Sequence, residues 1–272
     1  MKDAMTDPLP SARTAPLRVA GHFGELMQGR LHPDGPVVLI SLPCPALWVE
    51  VGGAGDAALL GPRRVRALCA ALDLPVPAAL PPLRALMPPG GGAGSSTAAL
   101  VALARWLGFE GTDAVLARAC VAAEGASDPL MLPHAERLLF APREGRVIAT
   151  LPSLPAFEVV GGFIGPGQRT RAEDQDFPDI ADLVARWQRL DSLADMATLC
   201  TESARRSLAL RGPAGDPTEE LARASGALGW LIAHTGSARG LIFAPGSMPA
   251  GTQAALAAAG LSGVIRFTGG GA

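Results

Sequence analysis

Lysine and tyrosine are almost missing from this sequence. Of 272 residues one is lysine, Lys2, and none is tyrosine. Ala, Arg, Gly and Pro are correspondingly abundant, which reads mainly as mutational bias, but the shortage has a chemical consequence. Lys2 lies in an expected tail, residues 1–15, so a catalytic lysine has no candidate. Cysteines are few and scattered: Cys44, Cys69, Cys120 and Cys200 form no C-x-x-C, so neither a zinc site nor a disulfide framework is expected, and a reducing cytoplasm fits them best. No apolar run is long enough to span a bilayer, and the tail lacks the apolar core of a signal peptide. A net charge of −2 gives no reason to expect nucleic acid or an anionic membrane as partner. The expectation is a soluble cytoplasmic protein acting on a small molecule, with a homodimer left open.

What is present is hydrophobic residue (49%) with little charge (18%), the balance of a compact protein. The length allows one large domain or two ordinary ones. Residues Leu17 to Glu50 read as short extended pieces around the turn Pro33-Asp34-Gly35-Pro36, and Ala46 to Val51 is a further strand. Helices are predicted over Arg63–Leu72, Ser96–Leu107 and Asp113–Glu124, the last capped by Thr112. Gly125 to Pro133 breaks the pattern, and Arg146–Thr150 returns to strand. Pro152 and Pro155 mark the best boundary, giving domains 16–152 and 153–272. Beyond it come a strand over Phe157–Ile164, helices over Asp179–Leu190, Ser192–Leu210 and Thr218–Ala233, and a polar loop His234–Gly240. A strand at Leu241–Phe243, a helix at Met248–Ala259 and a strand at Gly263–Thr268 follow. Strands and helices mix without regular alternation, so the fold class is α+β.

The chain is organised around Pro88-Pro89-Gly90-Gly91-Gly92-Ala93-Gly94-Ser95-Ser96-Thr97. Its glycines let the backbone bend sharply and approach a ligand, and a helix follows whose N-terminus favours anions. The plainer reading is a glycine loop leading into a buried helix, with Ser95 or Ser96 as cap. Three glycine-loop chemistries compete. A P-loop needs a lysine that this stretch lacks. A dinucleotide fingerprint would put Thr97 where the third glycine belongs. A nucleophile elbow, G-x-S-x-G, does not occur near it.

The remaining pattern, proline followed by Gly-x-Gly-Ser-Ser, resembles the second motif of the GHMP kinases (galacto-, homoserine, mevalonate and phosphomevalonate kinases). Ala15-Pro16-Leu17-Arg18-Val19 with Gly24-Glu25 resembles their first motif, and His234-Thr235-Gly236-Ser237-Ala238-Arg239-Gly240 their third. Gly24-Glu25-Leu26-Met27-Gln28-Gly29, Ser95-Ser96-Thr97-Ala98 and Glu124-Gly125-Ala126-Ser127-Asp128 most resemble the L-threonine kinases of cobalamin assembly, with Gly-Ala-Ser where those carry Pro-Thr. The resemblance implies a ribosomal-protein-S5-domain-2-like N-terminal domain and a ferredoxin-like C-terminal one. It implies ATP and Mg²⁺, with Pro89, Gly90, Gly91, Gly92, Ala93, Gly94, Ser95, Ser96 and Thr97 around the nucleotide. Ser96 and Glu124 would hold the metal, and Asp128 would be the catalytic carboxylate. Glu25, Arg18, Thr235, Gly236 and Ser237 would meet the substrate. The implied reaction is phosphorylation of L-threonine, or of homoserine or another small alcohol; a nucleotide sensor without turnover and a dinucleotide-dependent oxidoreductase are the alternatives.

These residues also have plainer roles. Asp128-Pro129 can simply start a turn. Glu124 can be a solvated helix end. Glu25, in an apolar context, needs a cation, which an internal arginine would supply as well as a substrate ammonium. Arg18, Arg30 and Arg239 are the motif-linked arginines. His22 and His234 lack metal-ligand spacing and read as hydrogen-bonding scaffold. Trp106 and Trp230 are expected in the core, on helices.

Overall fold

The computed structural model describes residues 15–56, 58–167, 174 and 176–271; the expected tail, apart from Ala15, lies outside them. Two long strands form its spine. β1 (Leu17–Arg30) and β2 (Val37–Val51) pair antiparallel along nearly their whole length, where the sequence reads as short pieces. Gly21, His22, Gly24 and Glu25 disguise β1, and register shifts near them mark bulges. β3 (Leu83–Ala85) pairs with the far end of β2, while β4 (Leu138–Ala141) and β5 (Arg146–Thr150) form a hairpin beside it. On the other side of β1 come β7 (Gly229–Ile232), β8 (Ala238–Phe243), β6 (Phe157–Phe163) and β9 (Ser262–Gly269). The resulting order is β5-β4-β2-β1-β7-β8-β6-β9, and every pairing of named strands is antiparallel.

Helices α1 (Pro62–Leu72), α2 (Ser95–Trp106) and α3 (Asp113–Glu124) precede Pro152. Residues Ala98 to Ala104 of α2 are fully buried, as a run without a charge requires. Thr112 caps α3 by accepting from the Val115 N–H at 3.4 Å. After Pro155 come α4 (Ala181–Trp187), α5 (Leu193–Arg211), α6 (Thr218–Ser225) and α7 (Thr252–Ala258). The architecture is α+β, as expected.

Further stretches differ from the sequence reading, and β8 begins at Ala238, inside the loop expected over His234–Gly240. The helix expected to run from Thr218 to Ala233 stops at Ser225, because Gly226 takes the left-handed conformation (φ 67°). The apolar residues beyond it are β7, and Trp230 is core on a strand, not on a helix. Asp179 lies outside α4: its carboxylate accepts from the Ala181 N–H at 2.9 Å, and its backbone forms a parallel bridge with Arg30. The last helix starts at Thr252, after Gly251 at φ 88°. All four cysteines are free and buried.

Candidate functional site

The loop from Pro88 to Gly94 owes its course to glycine. Gly90, Gly92 and Gly94 have φ of 73°, 78° and 74°, a conformation costly for other residues. Gly94, not Ser95 or Ser96, is the N-cap of α2; no side chain caps that helix and no acidic residue stands in its first turn. The positive end of α2 is thus presented to the cleft that Ser95, Ser96 and Thr97 line. The second glycine loop locks the first in place. Ser237 and Ala238 donate their N–H groups to the Gly91 carbonyl at 3.1 and 2.9 Å, and from β1 the Gly24 and His22 N–H groups reach Gly92 and Ala93 carbonyls at 3.3 and 3.2 Å.

On one side of the loop the Ser96 hydroxyl hydrogen-bonds the Glu124 carboxylate. Glu124 ends α3, and the chain leaves it through Gly125 at φ 83°. Burial pushes the Glu124 carboxyl up to about 7, against the Ser96 hydrogen bond. Hydroxyl and carboxylate oxygens are the donor set a hard divalent cation takes, so this pair fits Mg²⁺. Thr97 is a strut: its hydroxyl donates to Glu124 at 3.2 Å and accepts from the Asp128 N–H at 3.2 Å, which fixes both carboxylates relative to α2.

Asp128 faces a buried cluster that sequence reasoning did not assemble. His22 Nε2 stands 3.6 Å from Asp128 Oδ1, and His22 Nδ1 is 3.4 Å from Glu25 Oε1 and 3.2 Å from the Gly24 carbonyl. Each ring nitrogen therefore faces an acceptor, the arrangement of an imidazolium with two N–H groups. The ring thus stands between the two carboxylates, and the ligand atoms of His22, Glu25 and Asp128 all lie within 4.8 Å of one another, close enough to share a metal ion as well. Burial would push His22 down, but Glu25 and Asp128 outweigh it and hold the imidazole at about 9. For Asp128, burial is likewise outweighed, by the charge and hydrogen bond of His22, and its carboxyl stays below the ordinary aspartate value. Glu25 is pushed up to about 7 by burial, and its Oε2 is buried without a hydrogen-bond partner.

The cluster ties stability to pH. His22 is charged in the fold up to about 9 and in the unfolded chain only up to its ordinary 6.5, so its contribution is full below pH 6.5 and is lost as pH rises through 9. We expect unfolding free energy to fall across that window by up to about 3 kcal/mol, and a His22→Gln variant to lose that slope. Urea titrations at pH 6.5 and 9 check this; equal slopes in the two proteins would refute the bridging imidazolium.

The other expected residues divide. Thr235 lines the cleft with Glu25 and Asp128, whereas Gly236 and Ser237 lie behind the Pro88–Gly94 loop. Arg18 is elsewhere: it pairs with Glu50 at 2.6 Å and lies over Trp48, so its guanidinium does not reach the cleft. Arg239 is buried against Asp216 at 2.7 Å, and Arg30 donates to the Gly35 carbonyl. Among the described residues, the arginines lining the cleft are Arg64, from α1, and Arg143, which follows β4. Neither carries a sequence signal beyond its type. His234 stacks on Phe177 with ring centroids 4.5 Å apart, and burial with the Arg211 charge holds it neutral, down at about 3.

No family model matches the sequence, and no curated protein matches it. Solved structures do. A Methanococcus jannaschii mevalonate kinase superposes with a TM-score of 0.61 at 10% identity, covering 95% of this chain and 98% of that one. An L. major mevalonate kinase in complex with R-mevalonate gives 0.63 at 14% identity over 97% and 98%. A homoserine kinase from Cytophaga hutchinsonii gives 0.56 at 14% identity over 99% and 96%. The chain has the two-domain α+β fold of the GHMP kinases.

Proposed function

We propose that the protein is an ATP-dependent kinase that phosphorylates the hydroxyl of a small molecule, and that the acceptor is L-threonine, giving O-phospho-L-threonine for the cobalamin side chain. One observation carries the kinase reading. A glycine loop at a helix N-terminus, a Ser96–Glu124 oxygen pair and an ionised Asp128 line a single cleft in a chain with this fold. Phosphoryl transfer asks the protein for positioning and charge neutralisation more than covalent chemistry, and that is what these residues supply.

The loop N–H groups and the α2 N-terminus would cradle the phosphates. Ser96 and Glu124 would hold Mg²⁺, which neutralises phosphate charge when bound. Asp128 would accept the acceptor's hydroxyl proton. A carboxylate is too weak a base to ionise an alcohol in advance, so the proton moves late, once the hydroxyl oxygen has begun to bond phosphorus and its proton has become acidic. His22 would orient Asp128 and keep it ionised.

The threonine reading rests on the motif resemblance and on two groups of the cleft. Glu25 is among the residues lining the cleft, and its Oε2 is buried without a hydrogen-bond partner, so an ammonium that reached it would satisfy it. Arg143, in the same cleft, carries the guanidinium a substrate carboxylate needs. Homoserine offers the same two ends with a longer arm to the hydroxyl.

ADP release with Mg-ATP and a panel of L-threonine, L-serine, L-homoserine and R-mevalonate tests both levels. Threonine is expected to give the highest kcat/KM, and mevalonate, which lacks the ammonium, to give turnover lower by about two orders of magnitude. ADP release with homoserine or mevalonate alone would keep the kinase and remove threonine. Nucleotide binding without ADP release for any acceptor would make the protein a sensor.

A further inference from the structure

Arg64 occupies a position that the proposed reaction does not explain. It stands in the first turn of α1, just after Pro62, and its Nη1 donates to the Ser96 hydroxyl at 2.9 Å while lying 3.7 Å from Glu124 Oε2. The same side chain lines the cleft in front of the glycine loop. It is 31% exposed, so it is not a buried structural clamp. The guanidinium thus sits on the two oxygens that, on the reading above, hold the metal.

A guanidinium and a divalent cation cannot share those oxygens at full strength. Metal–oxygen bonds to Mg²⁺ are about 2.1 Å long, so an ion on Ser96 Oγ would stand against Arg64 Nη1 as a like charge. The single negative charge of Glu124 balances one of them. Once a triphosphate fills the cleft, its own charge accommodates both. The loop has no lysine, and among the described residues Arg64 is the cation hydrogen-bonded to Ser96. Arg143, the other arginine of the cleft among the described residues, is drawn toward the Asp174 carbonyl and the Phe177 ring.

We propose that Arg64 is a placeholder for the metal: it holds the Ser96–Glu124 pair while the cleft has no nucleotide and turns onto a terminal-phosphate oxygen when metal and nucleotide arrive together. This rests on the assignment of Ser96 and Glu124 as the metal pair. Its consequence is an order of entry. The free protein disfavours a bare divalent ion, and the metal comes in with its nucleotide.

The placeholder makes two affinities move in opposite directions. Mn²⁺ binding, followed by electron paramagnetic resonance of the free ion, is measured with and without a non-hydrolysable ATP analogue. Without nucleotide, Arg64→Gln is expected to bind Mn²⁺ about tenfold more tightly than the wild type; with nucleotide, its affinity for the Mn²⁺-analogue complex is expected to fall about tenfold, the effect of one charge-assisted hydrogen bond. Arg64→Lys, which keeps the charge, should restrain bare Mn²⁺ binding as the wild type does. A structural arginine would instead lower both affinities together, and unchanged Mn²⁺ affinity without nucleotide would equally overturn the placeholder. Adding Glu124→Gln to Arg64→Gln must abolish the gained Mn²⁺ site, and its survival would place the ion elsewhere. Glu124→Gln alone tests the underlying assignment: if it leaves the analogue complex as tight as the wild type, the metal pair is wrong whatever Arg64 does.

Discussion

Replacing Asp128 by alanine is expected to lower turnover by about 10²- to 10⁴-fold, the usual contribution of a positioned acid–base group, while leaving nucleotide affinity within about twofold of the wild type. The asymmetry follows from where the residue is held. Its main-chain N–H is anchored to Thr97 at 3.2 Å, and its carboxylate faces the His22 ring rather than any N–H of the glycine loop. Removing it should therefore take away the proposed proton acceptor and leave the N–H groups of the glycine loop in place. The same change removes one of the two carboxylates that hold the His22 imidazole up at about 9, so the histidine should titrate closer to neutrality. Following its ring protons by NMR against pH reads that fall independently of activity. Asp128→Asn keeps the volume and should be as inactive as alanine. Single-turnover ADP formation and calorimetric nucleotide binding measure the two quantities, and full activity in either variant would mean that another group accepts the proton.

The parts of the molecule legible in its sequence are those whose signal is local. The glycine loop and α2 announce themselves through Gly90–Gly94, the hydroxyl run and an uncharged apolar stretch, and α3 through Thr112. β1 was hidden because a strand carrying His22, Glu25 and Gln28 does not alternate as a half-buried strand should. Those polar side chains are buried because each finds a partner: His22 with Asp128 far along the chain, Glu25 with the His22 ring three residues before it, and Gln28 with the Ile232 and Ala233 carbonyls. β7 was absorbed into a helix because Leu228 to Ala233 is a short apolar run, which periodicity cannot assign. Gly226 was the missed stop signal. The candidate site follows the same division. Asp128, Ser96, Glu124 and Glu25 lie in recognisable motifs. His22 became legible only as the bridge between two carboxylates, and Arg64 and Arg143 only as arginines of the cleft. Arg18 sits in a motif, yet Glu50 and Trp48 claim it. A motif gives a residue's neighbourhood along the chain, whereas the direction of a long flexible cation depends on which anion or ring lies within reach.

Gly92→Ala is expected to destabilise the protein by about 3 kcal/mol or more and to abolish measurable nucleotide binding, and the structure separates the two causes. The first is conformational: at φ 78° a Cβ is strained in any surroundings, by about 1–2 kcal/mol. The second is steric. A Cβ on Gly92 would lie 2.2 Å from the Ala233 Cβ and 2.7 Å from the Thr235 carbonyl oxygen, both in the stretch joining β7 to β8. One of these is backbone, so no rotamer change relieves it. The loop or the hairpin must move, and they are tied together by the Ser237 and Ala238 N–H groups on the Gly91 carbonyl. Moving either one disturbs the N–H donors that would face the phosphates. Gly215→Ala isolates the conformational part, since Gly215 has φ 74° and nothing within 4 Å of its added Cβ. Its expected cost is about 1–2 kcal/mol, with nucleotide binding unchanged. Urea unfolding of the two variants beside the wild type gives the steric contribution by difference, and calorimetry gives the binding. If Gly92→Ala proved as mild as Gly215→Ala in both measurements, the two glycine loops would not be interlocked, and the cleft would owe its geometry to something other than their contact.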